Sequence, residues 1–186
     1  MRRNYEIYHP SEDSYFLSDI LKKEIKIIEN YKDKCYFEVG CGGGIQLETL
    51  ERLGINKNNI YSCDINPKAV EKCRKKGFNS IESDIFSNIN KKKKFDIIIF
   101  NPPYLPEDKN KKEPEDSKKI TTGGKKGGEI INSFLEQVKG YLNKKGIIFI
   151  LTSSLTKNIN WSGFKKTKIA EKNLFFEKLY VWKLIM

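Results

Sequence analysis

The run Phe95-Asp96-Ile97-Ile98-Ile99-Phe100 stops at Asn101-Pro102-Pro103-Tyr104, and that junction constrains the fold more than any other stretch. A segment so apolar and β-branched reads as a strand covered on both faces, as in parallel sheets. Pro102 and Pro103 lack N–H groups and have fixed φ, and Pro103 also holds Pro102 extended. The chain therefore leaves the sheet as a stiff arm at the carboxyl end of a strand, where open α/β sheets bind their ligands. Its acceptors are the Asn101 side-chain oxygen and the Pro102 carbonyl, a fork that suits a planar NH2 group. Tyr104 can pack an aromatic face against whatever carries that group. The competing reading is a Pro-rich strand terminator, because Asn and Pro are common turn residues.

The flanking sequence supplies the rest of such a sheet. Ser11 is placed to cap a helix with Glu12 and Asp13 in its first turn. A stripe of Tyr15, Phe16, Leu17, Ile20, Leu21, Ile25 and Ile28 carries that helix to about Asn30. Strands are expected over Cys35–Val39, Ile60–Cys63, Phe78–Glu82, Phe95–Phe100 and Gly146–Thr152. Helices are expected over Ile45–Leu53, from Asn66-Pro67 to about Lys76, and over Ile130–Leu142. Strands alternating with helices imply a parallel sheet. The last segments, Phe164–Ala170 and Lys178–Ile185, pair as an antiparallel edge. Leu105 to Glu129 is a long polar loop with glycines at Gly123, Gly124, Gly127 and Gly128. Loops of that length are usually functional or mobile.

Gly40-Cys41-Gly42-Gly43-Gly44 closes the first strand and opens a helix, so the backbone can approach a ligand closely. The dinucleotide pattern Gly-x-Gly-x-x-Gly would need glycine at position 45, which is Ile45. Gly-x-Gly-x-Gly with Glu38 two places upstream suits S-adenosylmethionine, whose tail is an amino acid rather than a pyrophosphate. Asp64 ends the second strand, where a carboxylate takes up ribose hydroxyls. Asp84 follows the third and can accept from an adenine amino group, with Ile85 as the neighbouring apolar and backbone contact. Each carboxylate alone could be a surface residue or a helix cap, but acidic residues at three successive strand ends fit that reading poorly.

This ordered set resembles a class I S-adenosylmethionine-dependent amino methyltransferase. The stretch Tyr8-His9-Pro10-Ser11-Glu12-Asp13-Ser14 narrows the resemblance to the short archaeal and eukaryotic branch of the HemK family. Those proteins methylate the glutamine of the Gly-Gly-Gln motif in class I peptide chain release factors. The resemblance implies a Rossmann-like α/β fold with a seven-stranded, mostly parallel sheet, an antiparallel final strand and helices on both faces. It implies one domain over residues 1–186, with residues 1–30 a helical segment packed on the catalytic core. The expected cofactor is S-adenosylmethionine, with S-adenosylhomocysteine as product. Ser14, Glu38, Gly40, Gly42, Asp64, Asp84, Ile85 and Asn101 are expected to bind it, Ser14 at its amino-acid end. Asn101, Pro102 and Tyr104 are the expected catalytic residues, and with Pro103 they form the substrate arm. The family's short branch also works with a small zinc-binding activator protein, expected to dock at the edge strand near Phe78–Glu82 as a heterodimer. The lysine-rich stretch Glu107–Lys119 departs from the family pattern.

Composition bears on the rival reading, an RNA or DNA methyltransferase acting on adenine N6 or guanine N2. A net charge of +11 favours it, as does the lysine-rich loop. Against it, Arg2, Arg3, Arg52 and Arg74 are the only arginines, and no separate RNA-binding module is legible. Cys35, Cys41, Cys63 and Cys73 form no Cys-x-x-Cys pair, and His9 is the single histidine, so no metal site is expected. No apolar run is long enough for a bilayer and no secretory signal opens the chain, so a cytoplasmic protein is expected.

Overall fold

A computed structural model describes residues 7–107 and 121–186. Most of the lysine-rich stretch from Glu107, and Arg2 and Arg3, lie outside the described residues. The elements run α1 (Glu12–Glu24), β1 (Tyr36–Val39), α2 (Ile45–Arg52), β2 (Ile60–Asp64), α3 (Pro67–Lys75), β3 (Asn79–Glu82) and β4 (Phe95–Phe100). They continue with α4 (Glu129–Val138), β5 (Leu142–Ser153), β6 (Lys165–Asn173) and β7 (Lys178–Ile185).

All seven strands join one sheet in the order β3-β2-β1-β4-β5-β7-β6. The first five are parallel; β7 runs antiparallel to both β5 and β6. The chain builds outward from β1 to β3, then returns to the other side of β1 to begin β4. That reversal is the topological switch point where such sheets bind ligands. Val39, the last residue of β1, lies in register with Cys63 on one side and Phe100 on the other. The residues that follow these three strands therefore leave the sheet side by side.

Alternation along the strands feeds two cores. Tyr36, Ile97, Ile99, Phe149 and Leu151 pack with Leu17, Leu21 and Ile25 of the α1 region, Leu47 and Leu50 of α2 and Cys73 of α3. On the opposite face Phe37, Val39, Ile98, Phe100, Ile148 and Ile150 meet Ile131, Phe134, Leu135 and Val138, one stripe of α4. Phe86 and Tyr141 stack there at 4.3 Å between ring centroids. Helices thus cover both faces. Ser18 and Thr49 share a 2.7 Å hydroxyl bond inside the α1–α2 contact.

One cap, two helix ends and the start of β5, at Leu142 rather than Gly146, differ from the sequence reading. Ser11 holds the N-cap position of α1 with its backbone alone, since its side chain makes no capping bond. The helix ends at Glu24 rather than near Asn30, and Asn30 adopts a left-handed φ of 52° that turns the chain into a short 3-10 segment. The helix before β5 ends at Val138, and Leu142, expected in it, already pairs with Phe95 in the sheet. Leu142 faces the same core whether helical or extended, so periodicity could not fix that boundary.

Phe149 is fully buried between β4 and β7. Phe149→Ala removes a ring the surrounding strands cannot collapse onto, and is expected to cost about 3–5 kcal/mol. Urea unfolding measures it; a loss under ~1 kcal/mol at unchanged m-value would contradict the packing described.

Candidate active site

At the end of β1 the loop Gly40–Gly44 turns tightly, with the Gly44 N–H donating to the Cys41 carbonyl at 2.7 Å. Gly42 and Gly44 have φ of 47° and 85°, a region costly for residues bearing a Cβ. Asp64 fastens the loop across the sheet: Oδ2 accepts from the Gly42 N–H and Oδ1 from the Asn66 N–H, each at 2.8 Å. Burial raises the Asp64 carboxyl above its usual range, while the backbone N–H groups pull it back. The segment Tyr8–Ser14 lies over the loop, close enough that a Cβ on Gly43 would stand 3.1 Å from the Pro10 ring.

Asn101 leaves β4 beside that loop. Its Nδ2 donates to Asp13 Oδ2 at 3.0 Å, across 88 residues of sequence. Asp13 Oδ1 accepts from the Tyr8 hydroxyl at 2.7 Å, the Ser14 N–H at 2.6 Å and the Ser14 hydroxyl at 3.2 Å. Asn101 Oδ1 is buried and, among the described residues, has no hydrogen-bond donor. The amide is therefore held by its nitrogen and presents its oxygen unpaired.

The rest of the arm is braced from behind. Gly123 donates its N–H to the Leu105 carbonyl at 2.9 Å, and Glu107 donates to the Gly124 carbonyl at 3.0 Å. A Cβ on Gly123 would fall 2.5 Å from the Pro103 carbonyl oxygen, and one on Gly127 would fall 2.4 Å from that of Tyr104. These glycines serve close approach to the arm. Thr156 Oγ1 donates to the same Tyr104 carbonyl at 3.0 Å. Burial, and then the charges of Asp13 and Glu177, push the Tyr104 phenol well up, so it stays protonated.

The ends of β1 and β3 carry the remaining predicted residues. Glu38 is almost wholly buried and, among the described residues, its Oε2 has no partner. Burial, followed by Cys73 and the Asp64 charge, raises its carboxyl well above the usual value. Ser14 is buried, and its carbonyl accepts from Gln46 Nε2 at 2.9 Å. Asp84 is exposed in the turn after β3. Ile85 beside it has φ of 50°, a costly conformation for a β-branched residue. The Cys63 thiol and the Ser83 hydroxyl hold it there by donating to its carbonyl at 3.0 and 3.1 Å. Strain of this kind collects at ligand sites.

The loop, Ser14, Glu38 and Asp64 thus gather with Asn101 at the switch point, and Asp84 and Ile85 sit at the neighbouring strand end. Sequence reasoning missed two participants. Asp13 reads in the sequence as a first-turn helix acid and as one residue of the Tyr8–Ser14 signature, with no sign of its contact to Asn101. Gln46 escapes a sequence reading, although a polar residue on the buried face of α2 signals a partner; its Oε1 is buried without a donor among the described residues. Orphan acceptors at Glu38 and Gln46 flank the glycine loop in sequence and fit the ammonium of an amino-acid tail. The residues present therefore fit S-adenosylmethionine.

Fold and site together define a class I S-adenosylmethionine-dependent methyltransferase. A profile described as a methyltransferase domain matches residues 37–102, and one described as an Eco57I restriction-modification methylase matches residues 72–180. The chain belongs to the methyltransferase class both describe. It is 35% identical to a protein N5-glutamine methyltransferase of Methanocaldococcus jannaschii, over 96% of this chain and 93% of the relative, and it belongs to that HemK-type family. The eRF1 methyltransferase catalytic subunit mtq2 of Schizosaccharomyces pombe is 26% identical over 82% of this chain and 74% of its own. Among solved structures, the E. cuniculi Mtq2–Trm112 complex, responsible for methylation of the eRF1 translation termination factor, contains a similar chain. It matches with a TM-score of 0.71 at 25% identity, covering 96% of this chain and 98% of that one.

The raised Glu38 carboxyl makes a signed prediction. The folded apo protein holds the proton more tightly than the unfolded chain, so stability from Glu38 is full below the ordinary value of 4.5 and falls as pH rises through the folded value. Glu38→Gln removes that loss. Its melting temperature relative to the parent is expected to climb between pH 4.5 and 8, while S-adenosylmethionine binding weakens by about tenfold, or ~1.4 kcal/mol. Parallel melting curves across pH, or unchanged affinity in calorimetry, would contradict the assignment.

Proposed function

We infer that this chain methylates the side-chain nitrogen of the glutamine in the Gly-Gly-Gln motif of a class I peptide chain release factor. The observation that carries the reading is the buried Asn101 Oδ1 at the end of β4, beside the glycine loop and without a donor among the described residues. S-adenosylmethionine, when bound, supplies an electrophilic methyl group on a sulfonium.

An amide nitrogen is a poor nucleophile because its lone pair is delocalised into the carbonyl. Asn101 Oδ1 and the Pro102 carbonyl accept its two N–H bonds and turn the lone pair toward the methyl. They also favour the positive charge that grows on nitrogen, an interaction stronger in the transition state than in the ground state. The prolines and the Gly123–Gly127 brace keep that fork from relaxing. Orientation of this kind can account for about 7–11 kcal/mol of barrier. Tyr104 and Pro103 wall the acceptor side chain. A hollow of about 280 Å³ lined by Thr156, Trp161, Tyr180 and Trp182 adjoins the back of the arm through the Thr156 bond to the Tyr104 carbonyl.

The remaining site residues take their roles from this placement. Ser14, Glu38, Gly40 and Gly42 hold the amino-acid end, and Asp64 accepts the ribose hydroxyls with lone pairs its backbone bonds leave over. Asp84 and Ile85 meet the adenine. A nucleobase amino group is the second reading, favoured by the match over residues 72–180 and by the basic charge. Transfer of labelled methyl to a release factor, to the same factor with its motif glutamine replaced, and to RNA or DNA separates the two. Label on the unaltered factor alone is expected; label on nucleic acid alone overturns the reading. Asn101→Ala is expected to cut turnover roughly a hundredfold or more with cofactor affinity nearly unchanged, and full activity in that variant would remove Asn101 from the chemistry.

A small zinc-binding activator completes the proposal. Supporting it, β3 is a sheet edge with only Ser80 buried, and Ile81 and Ile65 beside it are 38% and 60% exposed. An open edge flanked by apolar side chains suits strand addition by a partner. Ile81→Glu is expected to abolish co-purification with the activator while leaving cofactor binding intact, and retention of the complex would move the interface elsewhere.

A further inference from the structure

We propose that Asp13 is a positioning residue that fixes which end of the Asn101 amide faces the substrate. The inference rests on the function proposed above and extends it to specificity for an NH2 acceptor.

A carboxamide has two nearly isosteric ends, one accepting and one donating. For the fork to grip an NH2 group, only the oxygen of Asn101 can face it; a flipped amide would set donors against donors. The backbone of β4 does not choose between the two rotations. Asp13 does. Its Oδ2 accepts from Asn101 Nδ2 at 3.0 Å, so the opposite end of the amide must be the oxygen, the atom left buried and unpaired. Asp13 is itself fixed, being 6% exposed and holding three donors from Tyr8 and Ser14 on its other oxygen. Those donors leave Oδ2 as the atom turned to Asn101.

The geometry makes an isosteric substitution decisive. In Asp13→Asn the carboxamide oxygen stays with the Tyr8 and Ser14 donors, which places an NH2 against Asn101. Two donors then face each other, Asn101 rotates to offer its oxygen inward, and its nitrogen turns to the substrate. Combining Asp13→Asn with Asn101→Asp restores the pattern: the new amide donates to one oxygen of residue 101, and the other faces the substrate as an acceptor.

Steady-state methylation of a release factor by the full chain, with its activator, tests this. Asp13→Asn is expected to lower kcat about a hundredfold with KM and cofactor affinity within twofold, and the double variant to recover at least tenfold of that loss. Parental turnover in Asp13→Asn, or a double variant no better than it, overturns the proposal. The unaltered protein gives a second readout that needs neither a folded variant nor a known substrate. By 15N NMR the Asn101 side-chain NH2 is expected to show one proton shifted downfield and protected from exchange, and two rapidly exchanging protons overturn the lock. An unaltered protein that is inactive on release factor yet shows the protected proton would sink the substrate assignment and leave the lock standing.

Discussion

Val39 sits between Cys63 and Phe100, and nearly everything chemical in this molecule follows from that register. The residues just beyond these strand ends are the glycine loop, Asp64 and Asn101. Strand pairing puts them on one rim without any local signal connecting them. A slip of one residue in β4 would turn Asn101 to the opposite face, because strand side chains alternate. The apolar runs guard against this: Ile97 and Ile99 belong to one core and Ile98 and Phe100 to the other. The two packed faces that stabilise the sheet are thus also what sets the phase of the acceptor arm.

The rim works against the stability of the core beneath it. Glu38, Gln46 and Asn101 each bury an acceptor with no donor among the described residues, an arrangement that costs about 1–3 kcal/mol per group. Ile85 adds left-handed strain. Such groups persist because the aromatic stack of Phe37, Phe86, Phe95 and Tyr141 and the aliphatic core opposite offset them. The three orphan acceptors divide by chemistry. Two flank the glycine loop in sequence and suit a cation; the third lies in the rigid arm and suits a planar nitrogen.

Elements whose signals are local were legible in the sequence. The Pro-stiffened arm and the glycine loop follow from a few consecutive residues, and the parallel sheet and antiparallel final pair from the succession of strand and helix patterns along the chain. What sequence could not supply lay at long range. Nothing near Asp13 announces a partner 88 residues away, and a first-turn acid already has a sufficient reason to exist in the helix dipole. The same holds for Gly123 and Gly127, which look like loop residues until the Pro103 and Tyr104 carbonyls are seen where their side chains would be. The boundary at Leu142 failed for a different reason, since helix and strand readings bury the same residue.

Helix α1 and the segment before it explain why the opening of the chain carries so specific a signature. Pro10 covers the glycine loop, Ser14 binds Gln46 at the start of α2, and Asp13 between them holds Asn101. Ser18 then anchors the helix to α2 through Thr49. One turn therefore touches both the glycine loop and the Asn101 arm. Methyl donor and acceptor must meet in line to within a fraction of an ångström for orientation to lower the barrier. A single element spanning both half-sites provides that alignment more directly than two separately positioned loops could. The Asp13 carboxylate makes a rim contact to Asn101 and holds the Ser14 hydroxyl in addition to suiting a helix start.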